Sequence, residues 1–323
     1  MLLLSERDVR ELLSMRECID VLRSAFLAQA HGRVKMPLRT MAASTSGILG
    51  AMPASIQTDG AALGAKLVTV FPGNTASEMP THQALILSFD PTTGEPLCLM
   101  DGRYITEIRT AATSALATEA LAVKGASVVA IIGTGVQAHA HVDALPHVMN
   151  VREVRVWGRT AAKAEALGEH ARRQGINART AATVADACAG AHVVCTVTSS
   201  TEPVLNAREL DRGTHVNAVG MAPPNGRELS SDLMKDARII VDSLDGARKE
   251  AAEIRLAIAE GALPPKPELI LLCDVIAGKA QGRHDDNEVT VFESLGLALE
   301  DISTAAFVVE RARAQRRGQE FAL

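Results

Sequence analysis

A glycine-containing turn between an apolar strand and a helix strongly constrains the fold of this chain. The β-branched run Val128–Ile132 leads into a Gly-x-Gly-x-x-Ala pattern, and a helical pattern follows at once. This order is typical of a dinucleotide-binding βαβ unit, in which the glycines allow a tight turn and a close approach of a diphosphate. The helix N-terminus would add free N–H groups and a positive dipole end. The predicted cofactor-binding residues here are Gly133, Thr134, Gly135, Val136, Gln137 and Ala138.

The end of the second predicted strand indicates which dinucleotide binds. NAD-binding sites usually place an acidic residue there, but this chain has Gly158, Arg159 and Thr160. An arginine and a hydroxyl suit a 2′-phosphate, because they supply charge-assisted hydrogen bonds. The alternative is a solvent-exposed arginine at a helix start. We therefore predict NADPH, with NADH less favoured, and we add Thr196 and Val219, near the ends of the next two strands, to the cofactor site.

Composition limits the class of protein. The 323 residues are 47% hydrophobic and 22% charged, which is ordinary for a globular enzyme. A net charge of −5 and 2% aromatic residues argue against nucleic acid or an anionic membrane as a partner. No segment is predicted to be a signal peptide or a membrane span. Five scattered cysteines without a CxxC pair predict reduced thiols in a cytoplasmic protein and no metal site.

The order of predicted elements gives the fold class. Two helices with capping boxes open the chain, and residues 36–100 have the texture of antiparallel strands. Residues 125–280 alternate strand and helix, and the chain from Thr290 onward is predicted to be helical. We predict an α/β protein with a Rossmann-type, doubly wound parallel sheet inserted in a second α+β domain with a mostly antiparallel sheet. The predicted bounds are 123–289 for the nucleotide-binding domain and 1–122 plus 290–323 for the second domain.

Three cations in the second domain occupy unusual contexts. Lys66 interrupts an apolar strand, so it reaches solvent or faces a ligand. Arg109 falls in the first turn of a helix predicted from Thr106 to Ala122, where the dipole disfavours a cation. Arg39 lies at a strand start. Each residue alone is typical of a surface or ion-paired side chain, but together they could clamp a small carboxylate.

Several segments resemble the ornithine cyclodeaminase/mu-crystallin family over nearly the whole chain. They are Met52-Pro53-Ala54, 65–69, 80–84, Met100-Asp101-Gly102, 109–115, the glycine turn, 216–220, Arg227-Glu228-Leu229 and 290–296. The resemblance implies that Arg39, Lys66 and Arg109 bind a substrate carboxylate. It also implies a homodimer formed through the sheet of the second domain. The 157–160 segment is similar to the mu-crystallin branch, whose matching segment grips the 2′-phosphate of NADPH.

One departure from the family pattern bears on the reaction. Cyclodeaminases carry an aspartate two residues after the glycine that corresponds to Gly220, and this chain has Ala222 there. A methyl group cannot accept a proton, and loss of such a group typically costs about 10²–10⁴ in rate. The predicted reaction is therefore reduction of a preformed C=N bond, as in the ketimine reductases of the family.

The predicted substrates are Δ1-pyrroline-2-carboxylate and Δ1-piperideine-2-carboxylate, reduced with NADPH to L-proline or L-pipecolate. Lys66, Arg109 and His82 are the predicted catalytic residues, with His82 as proton donor or orienting group, or simply a structural histidine in a loop. Family analogy adds Thr290 to the substrate-binding residues. The alternatives left open are ornithine cyclodeamination, an amino-acid dehydrogenase, and a non-catalytic binder of NADPH or another ligand.

Overall fold

The computed structural model describes residues 1–58, 60–76, 79–220 and 226–322. The chain divides into two compact units. The first unit, Met1–Arg109 with Gly296–Leu323, corresponds to the second domain of the sequence prediction. The second unit, Thr110–Leu295, corresponds to the predicted nucleotide-binding domain. These bounds differ from the predicted ones at both crossings. The first crossing falls inside helix α3, Arg103–Leu121, and the second follows a strand that sequence periodicity assigned to a helix.

The first unit is built on an eight-stranded sheet with the order β16-β1-β7-β6-β5-β4-β2, in which β3 also pairs with β4. All pairs are antiparallel except β1 with β7. Its elements, numbered in chain order, are β1 Leu2–Leu4, α1 Glu6–Leu12, α2 Met15–Ala30, β2 Val34–Lys35, β3 Thr40–Ala43, β4 Ile48–Ile56, β5 Ala62–Val70, a 3-10 turn Pro72–Ala76, β6 His82–Phe89, β7 Pro96–Asp101, α11 Ala298–Gln315 and β16 Gln319–Glu320.

In the described part of the chain, one face of this sheet is covered by helices and the other is not. The even-numbered residues of β4 to β6, such as Met52 and Ile86, are buried beneath α11, against which α2 packs. Both predicted capping boxes are confirmed, since Ser5 and Ser14 each accept a hydrogen bond from the backbone three residues on. The alternation of buried and half-buried residues along β5 therefore follows the period of two expected for a sheet covered on one side.

The second unit contains a parallel sheet with the order β10-β9-β8-β11-β12-β15-β13-β14. Its strands are β8 Val128–Ile132, β9 Glu153–Trp157, β10 Asn177–Thr180, β11 Val193–Thr196, β12 His215–Ala218, β13 Arg238–Val241, β14 Ile270–Leu271 and β15 Thr290–Glu293. Its helices, besides the end of α3, are α4 Val136–Ala144, α5 Ala161–Arg173, α6 Val184–Cys188, α7 Ser231–Asp236, α8 Leu244–Lys249, α9 Ala252–Ala259 and α10 Leu272–Ile276, with 3-10 turns Leu145–His147 and Ala207–Glu209.

Helices cover both faces of the parallel sheet. Val129 and Ile131 of β8 pack with residues of α4 and α5, whereas Ala130 and Ile132 pack with residues of α6, α7 and α9. The fold class predicted from the sequence is confirmed. The prediction that the chain is helical from Thr290 onward is wrong for Thr290–Glu293, which forms β15 between β12 and β13, and is confirmed for α11. A fully buried strand of four residues has no exposed positions, so its periodicity does not distinguish it from a helix.

No helix in the described part of the chain is long and apolar enough to cross a bilayer.

Candidate functional site

The glycine turn after β8 has the geometry that a diphosphate site requires. Gly133 has a φ of 127°, and a Cβ built on it would lie 2.6 Å from the carbonyl oxygen of Val197. Gly135 is the N-cap of α4, and a Cβ there would meet no atom within 4 Å. The first glycine is therefore required by the protein itself, whereas the second leaves open space in front of the free N–H groups of a helix N-terminus. The residues present fit a dinucleotide.

The end of β9 lies against this turn. A Cβ on Gly158 would come within 2.5 Å of Thr134 Cγ2, so the absence of a side chain lets the two segments pack together. Arg159 and Thr160 follow, and both are exposed. Within the described residues Arg159 makes no hydrogen bond or ion pair, and the Thr160 hydroxyl makes no capping bond to α5. Both side chains are thus free to contact an anionic ligand beside the glycine turn.

A buried glutamate connects the next two strand ends. Glu228 accepts hydrogen bonds from the backbone N–H groups of Thr198, 2.6 Å away, and Gly220, 2.8 Å away. These residues follow β11 and β12, so Glu228 fixes the ends of the strands that carry Thr196 and Val219. Burial raises the pKa of Glu228 to about 6, although hydrogen bonds from Thr198 act in the opposite direction.

Three further carboxylates are buried in this unit. Glu253 accepts from the backbone N–H of Glu228 at 3.0 Å, and Asp242 accepts from that of Leu295 at 2.8 Å. Burial, the negative charge of Glu253 and a hydrogen bond with Glu253 raise the pKa of Glu293 well above its ordinary value. Among the described residues, no group of three or more histidine, cysteine or acidic side chains has a metal-binding arrangement.

In the first unit, two buried carboxylates organise the cations predicted from the sequence. Lys66 Nζ lies 2.6 Å from Asp301 Oδ2, and Arg109 Nε lies 3.0 Å from Asp301 Oδ1. Arg109 Nη1 also lies 2.6 Å from Glu300 Oε2. Arg39 donates to the carbonyl oxygen of Gly296 at 3.3 Å, and a Cβ on Gly296 would lie 2.5 Å from Arg109 Nη1. The structure therefore brings all three predicted cations to one region.

Two of the reasons for selecting these cations were wrong. Helix α3 begins at Arg103, so Arg109 lies in its second turn, and the dipole of the first turn does not explain it. Lys66 neither reaches solvent nor depends on a ligand for a partner, since it is 1% exposed and paired with Asp301. In both cases the compensating anion belongs to α11.

Burial and neighbouring charges set the protonation of these groups. Burial lowers the pKa of Lys66 to about 8, against the charge of Asp301, which raises it. For Arg109 the charges of Asp301 and Glu300 outweigh burial, so its pKa is raised and it stays charged. Burial raises the pKa of Glu300 despite the opposing charge of Arg109. The cluster combines a permanent cation with a lysine whose pKa is lowered to about 8.

The chain matches a known protein family over nearly its whole length. The family model described as "Ornithine cyclodeaminase/mu-crystallin family" matches residues 1–316. The chain belongs to this family. Among its members, the ketimine reductase mu-crystallin of Mus musculus is 40% identical over 281 residues, 86% of each chain. The Δ1-pyrroline-2-carboxylate reductase of Bacillus cereus is 34% identical over 316 residues, 97% of each chain.

Solved structures of family members share the fold. The Δ1-pyrroline-2-carboxylate reductase of Thermococcus litoralis, in complex with NADH and L-proline, has a TM-score of 0.94 at 34% identity and covers 99% of this chain and 100% of its own. An archaeal alanine dehydrogenase dimer with bound NAD has the same TM-score and identity and covers 100% of this chain and 99% of its own. Like these relatives, the chain is an oxidoreductase that acts on C=N bonds and uses a nicotinamide nucleotide.

Two further residues, His82 and Thr290, were predicted to belong to the site. His82 opens β6 opposite Val70, on the sheet face that carries Lys66, and its side chain is exposed. Desolvation by surrounding atoms and the charge of Lys66 lower the pKa of His82 from its ordinary value. Thr290 lies at the amino end of β15, and its hydroxyl contacts His215 Nδ1 at 2.9 Å and Arg283 Nη2 at 3.2 Å. Ligands of parallel sheets bind at the carboxyl ends of the strands, so Thr290 is at the wrong edge for a substrate-binding role.

Glu300 and Asp301 are the site residues that the sequence analysis missed. They form an adjacent acidic pair within the apolar run Ala298–Ile302, and both are fully buried. Acidic residues in a first helical turn are common for dipole reasons, so the pair gave no distinctive pattern. The available signal was their apolar setting, since charged residues are almost never fully buried unless they are paired.

Proposed function

We propose that this chain reduces the C=N bond of a cyclic ketimine 2-carboxylate, Δ1-pyrroline-2-carboxylate or Δ1-piperideine-2-carboxylate, to L-proline or L-pipecolate, with NADPH as reductant. The observation that carries the proposal is the gathering of three cations in the first unit. Asp301 bridges Lys66 and Arg109, and Arg39 lies beside Arg109 at Gly296. Three positively charged side chains at one place suit a small substrate carboxylate.

The residues of the chain have distinct roles in this proposal. Arg39 and Arg109 hold the carboxylate, and Lys66 adds a third donor that fixes the ring. The residues of the glycine turn after β8 would hold a nicotinamide nucleotide, which would supply the hydride. His82 orients the ring or passes a proton, and a cyclic imine protonated at nitrogen needs no strong acid from the protein. Ala222, which argues against cyclodeamination, lies outside the described residues.

The test follows NADPH absorbance with each of the two cyclic imines as substrate. We expect rapid oxidation of NADPH and formation of L-proline or L-pipecolate. Parallel reactions use L-ornithine with NAD, and pyruvate with ammonia or methylamine. Formation of proline and ammonia from ornithine, without imine reduction, would overturn the proposal in favour of a cyclodeaminase. Faster reaction of pyruvate with ammonia than of either imine would point to an amino-acid dehydrogenase.

The preference for NADPH is a prediction about Arg159. Substituting Arg159→Ala removes the exposed cation beside the glycine turn, and a hydrogen bond to a charged group contributes about 1.5–3 kcal/mol. We expect the KM for NADPH to rise by roughly 10- to 100-fold, with little change for NADH. The measurement is the steady-state KM for both cofactors. Arg173→Ala, at an exposed arginine in the last turn of α5, is the matched control.

An equal KM change for NADPH and NADH in Arg159→Ala would argue against recognition of the 2′-phosphate. A variant with unchanged kinetics would identify Arg159 as a surface residue only. Either result would favour NADH, the cofactor bound in the Thermococcus litoralis structure, as the reductant.

We also propose that the chain forms a homodimer through the uncovered face of the antiparallel sheet. Its residues include Leu49 and Leu85, which are 43% and 48% exposed, and the half-buried Leu63, Leu67 and Leu87. Contiguous exposed apolar side chains are typical of interaction surfaces. The archaeal alanine dehydrogenase of the same fold is a dimer, which supports the proposal.

A charge placed on this face tests the dimer. We expect Leu85→Glu to shift the protein to monomers at micromolar concentration, because burying an unpaired carboxylate in an interface is costly. Light scattering coupled to size exclusion measures the mass. Phe321→Glu, at an equally exposed residue beyond the sheet face, controls for added charge. A Leu85→Glu variant that remains dimeric would place the interface elsewhere.

A reducing compartment, the cytoplasm, fits the cysteines. All five are unpaired and buried. Burial raises the pKa of Cys18 and Cys195 to about 12, which keeps these thiols protonated and unreactive.

A further inference from the structure

We propose that Asp301 is a positioning residue that fixes Lys66 and Arg109 at the spacing required by one carboxylate and keeps Lys66 charged. The inference rests on the proposed function, since it deepens the account of the same cation site. Its geometric basis is that one carboxylate contacts both cations through different oxygens. Oδ2 lies 2.6 Å from Lys66 Nζ, and Oδ1 lies 3.0 Å from Arg109 Nε.

The position of Asp301 excludes a direct role in binding substrate. Its side chain is fully buried, and both oxygens already face cations of the protein. It lies in the first turn of α11, where the helix dipole stabilises a negative charge. A carboxylate that is buried and shared in this way acts on a ligand only through Lys66 and Arg109. Asp301 is therefore distinct from an acid or base that contacts the reacting atoms.

Asp301 and Glu300 differ in one useful respect. Both are fully buried on adjacent positions of α11, and both contact Arg109. Of the two, only Asp301 contacts Lys66, which among the described residues also donates to the hydroxyl of Thr106 at 3.5 Å. Removal of either carboxylate thus deprives Arg109 of one partner, but only removal of Asp301 deprives Lys66 of its ion pair. This difference separates the proposed role from a general effect of disturbing the cluster.

The charge on Lys66 depends on groups from each element around it. On the neighbouring strands the residues opposite Lys66 are apolar, Met52 of β4 and Ile86 of β6. The titratable and charged groups that act on Lys66 are Asp301 and Glu300 of α11, Arg109 of α3 and His82 of β6. Burial and Arg109 lower the pKa of Lys66, whereas Asp301 and, less strongly, Glu300 raise it. Without Asp301, Lys66 would lose its proton at lower pH and would no longer offer a charge to a carboxylate.

The experiment compares pH profiles of kcat/KM for imine reduction in the wild type, Asp301→Asn and Glu300→Gln. Loss of an opposite charge at this distance typically shifts a pKa by about 1–3 units. We therefore expect the alkaline limb of the Asp301→Asn profile to move by at least about one unit toward lower pH, with a rise in KM larger than the fall in kcat. Glu300→Gln should move the limb less. Equal shifts in the two variants, or no shift in Asp301→Asn, would overturn the proposal.

A direct titration separates this proposal from the proposed function. Lysines labelled with ¹³C at Cε report their protonation by NMR, and Lys66→Arg assigns the signal of Lys66. We expect that signal to titrate at lower pH in Asp301→Asn than in the wild type, whether or not any imine is reduced. Failure of imine reduction with this shift present would overturn only the proposed substrate. An unshifted signal would overturn the role of Asp301 itself.

Lys66→Arg keeps the proposal falsifiable if Asp301→Asn does not fold. Arginine remains charged throughout the accessible pH range and retains Asp301 as a partner. We expect the alkaline limb of the kcat/KM profile to disappear in Lys66→Arg. A limb that persists unchanged in this variant would show that Lys66 is not the titrating group and would overturn the proposal.

Discussion

Replacing Arg109 with methionine is expected to lower kcat/KM for a cyclic ketimine carboxylate by at least about a hundredfold and to destabilise the protein. Truncating one partner of a buried charge pair typically costs about 2–5 kcal/mol. In this chain the substitution also leaves Glu300 and Asp301 without their shared cation. Steady-state kinetics measures the first effect, and thermal unfolding in the absence of substrate measures the second.

The loss of stability should depend on pH in a defined direction. Arg109 lowers the pKa of Glu300, so its removal raises that pKa further above the unfolded value of about 4.5. A carboxyl whose folded pKa is raised destabilises the folded state as pH increases from the unfolded pKa through the folded one. The difference in melting temperature from the wild type should therefore be largest at neutral and alkaline pH and should narrow toward pH 4.5.

The matched control lies on the same helix. Arg103 forms ion pairs with Glu6 and Asp101, but its side chain is 39% exposed. Exposed pairs typically contribute about 0–1 kcal/mol, so Arg103→Met should change the free energy of unfolding little and leave kcat/KM unchanged. If Arg109→Met and Arg103→Met behaved alike, the buried cluster would have neither the energetic nor the functional role assigned to it.

What could be predicted from the sequence is local in character. The turn around Gly133 lies within a dozen residues, and its strand, glycines and helix are each specified by neighbouring side chains. The capping boxes at Ser5 and Ser14 have the same property. Lys66 was also identifiable, because a lysine in an apolar strand contradicts the pattern around it. The wrong start of α3 was a missed local signal, since Asp101 Oδ1 accepts the backbone N–H of Arg103 at 2.9 Å and the helix begins there.

The features that escaped prediction depend on distant parts of the chain. Asp301 meets Lys66 and Arg109 across more than 190 residues, and no periodicity encodes such a pairing. The place of β15 between β12 and β13 is equally non-local, because a short apolar run does not indicate which strands it pairs with. Because the sequence does not reveal this strand order, the prediction did not show that Thr290 lies at the amino end of β15. Sequence patterns thus identified half of the ion network, the cations, and missed the carboxylates.

Substituting the two turn glycines with alanine should separate folding from nucleotide binding. Gly133→Ala forces a Cβ to within 2.6 Å of the Val197 oxygen at a φ of 127°. Such strain costs about 1–3 kcal/mol or more, so we expect a lower melting temperature and loss of NADPH binding. Gly135→Ala adds a methyl group in open space at a φ of −85°. We expect its stability to stay within about 0.5 kcal/mol of the wild type.

Gly135→Ala should nevertheless weaken NADPH binding by at least about tenfold, because the methyl group occupies the space through which a diphosphate approaches the N–H groups of α4. Isothermal titration with NADPH measures the affinity, and Gly60→Ala, another open position, lies in the other unit and should change nothing. Unaltered affinity in Gly135→Ala would mean that the diphosphate does not approach this turn. A loss confined to binding requires a ligand at the backbone, because the protein alone has no atom there for the methyl group to displace.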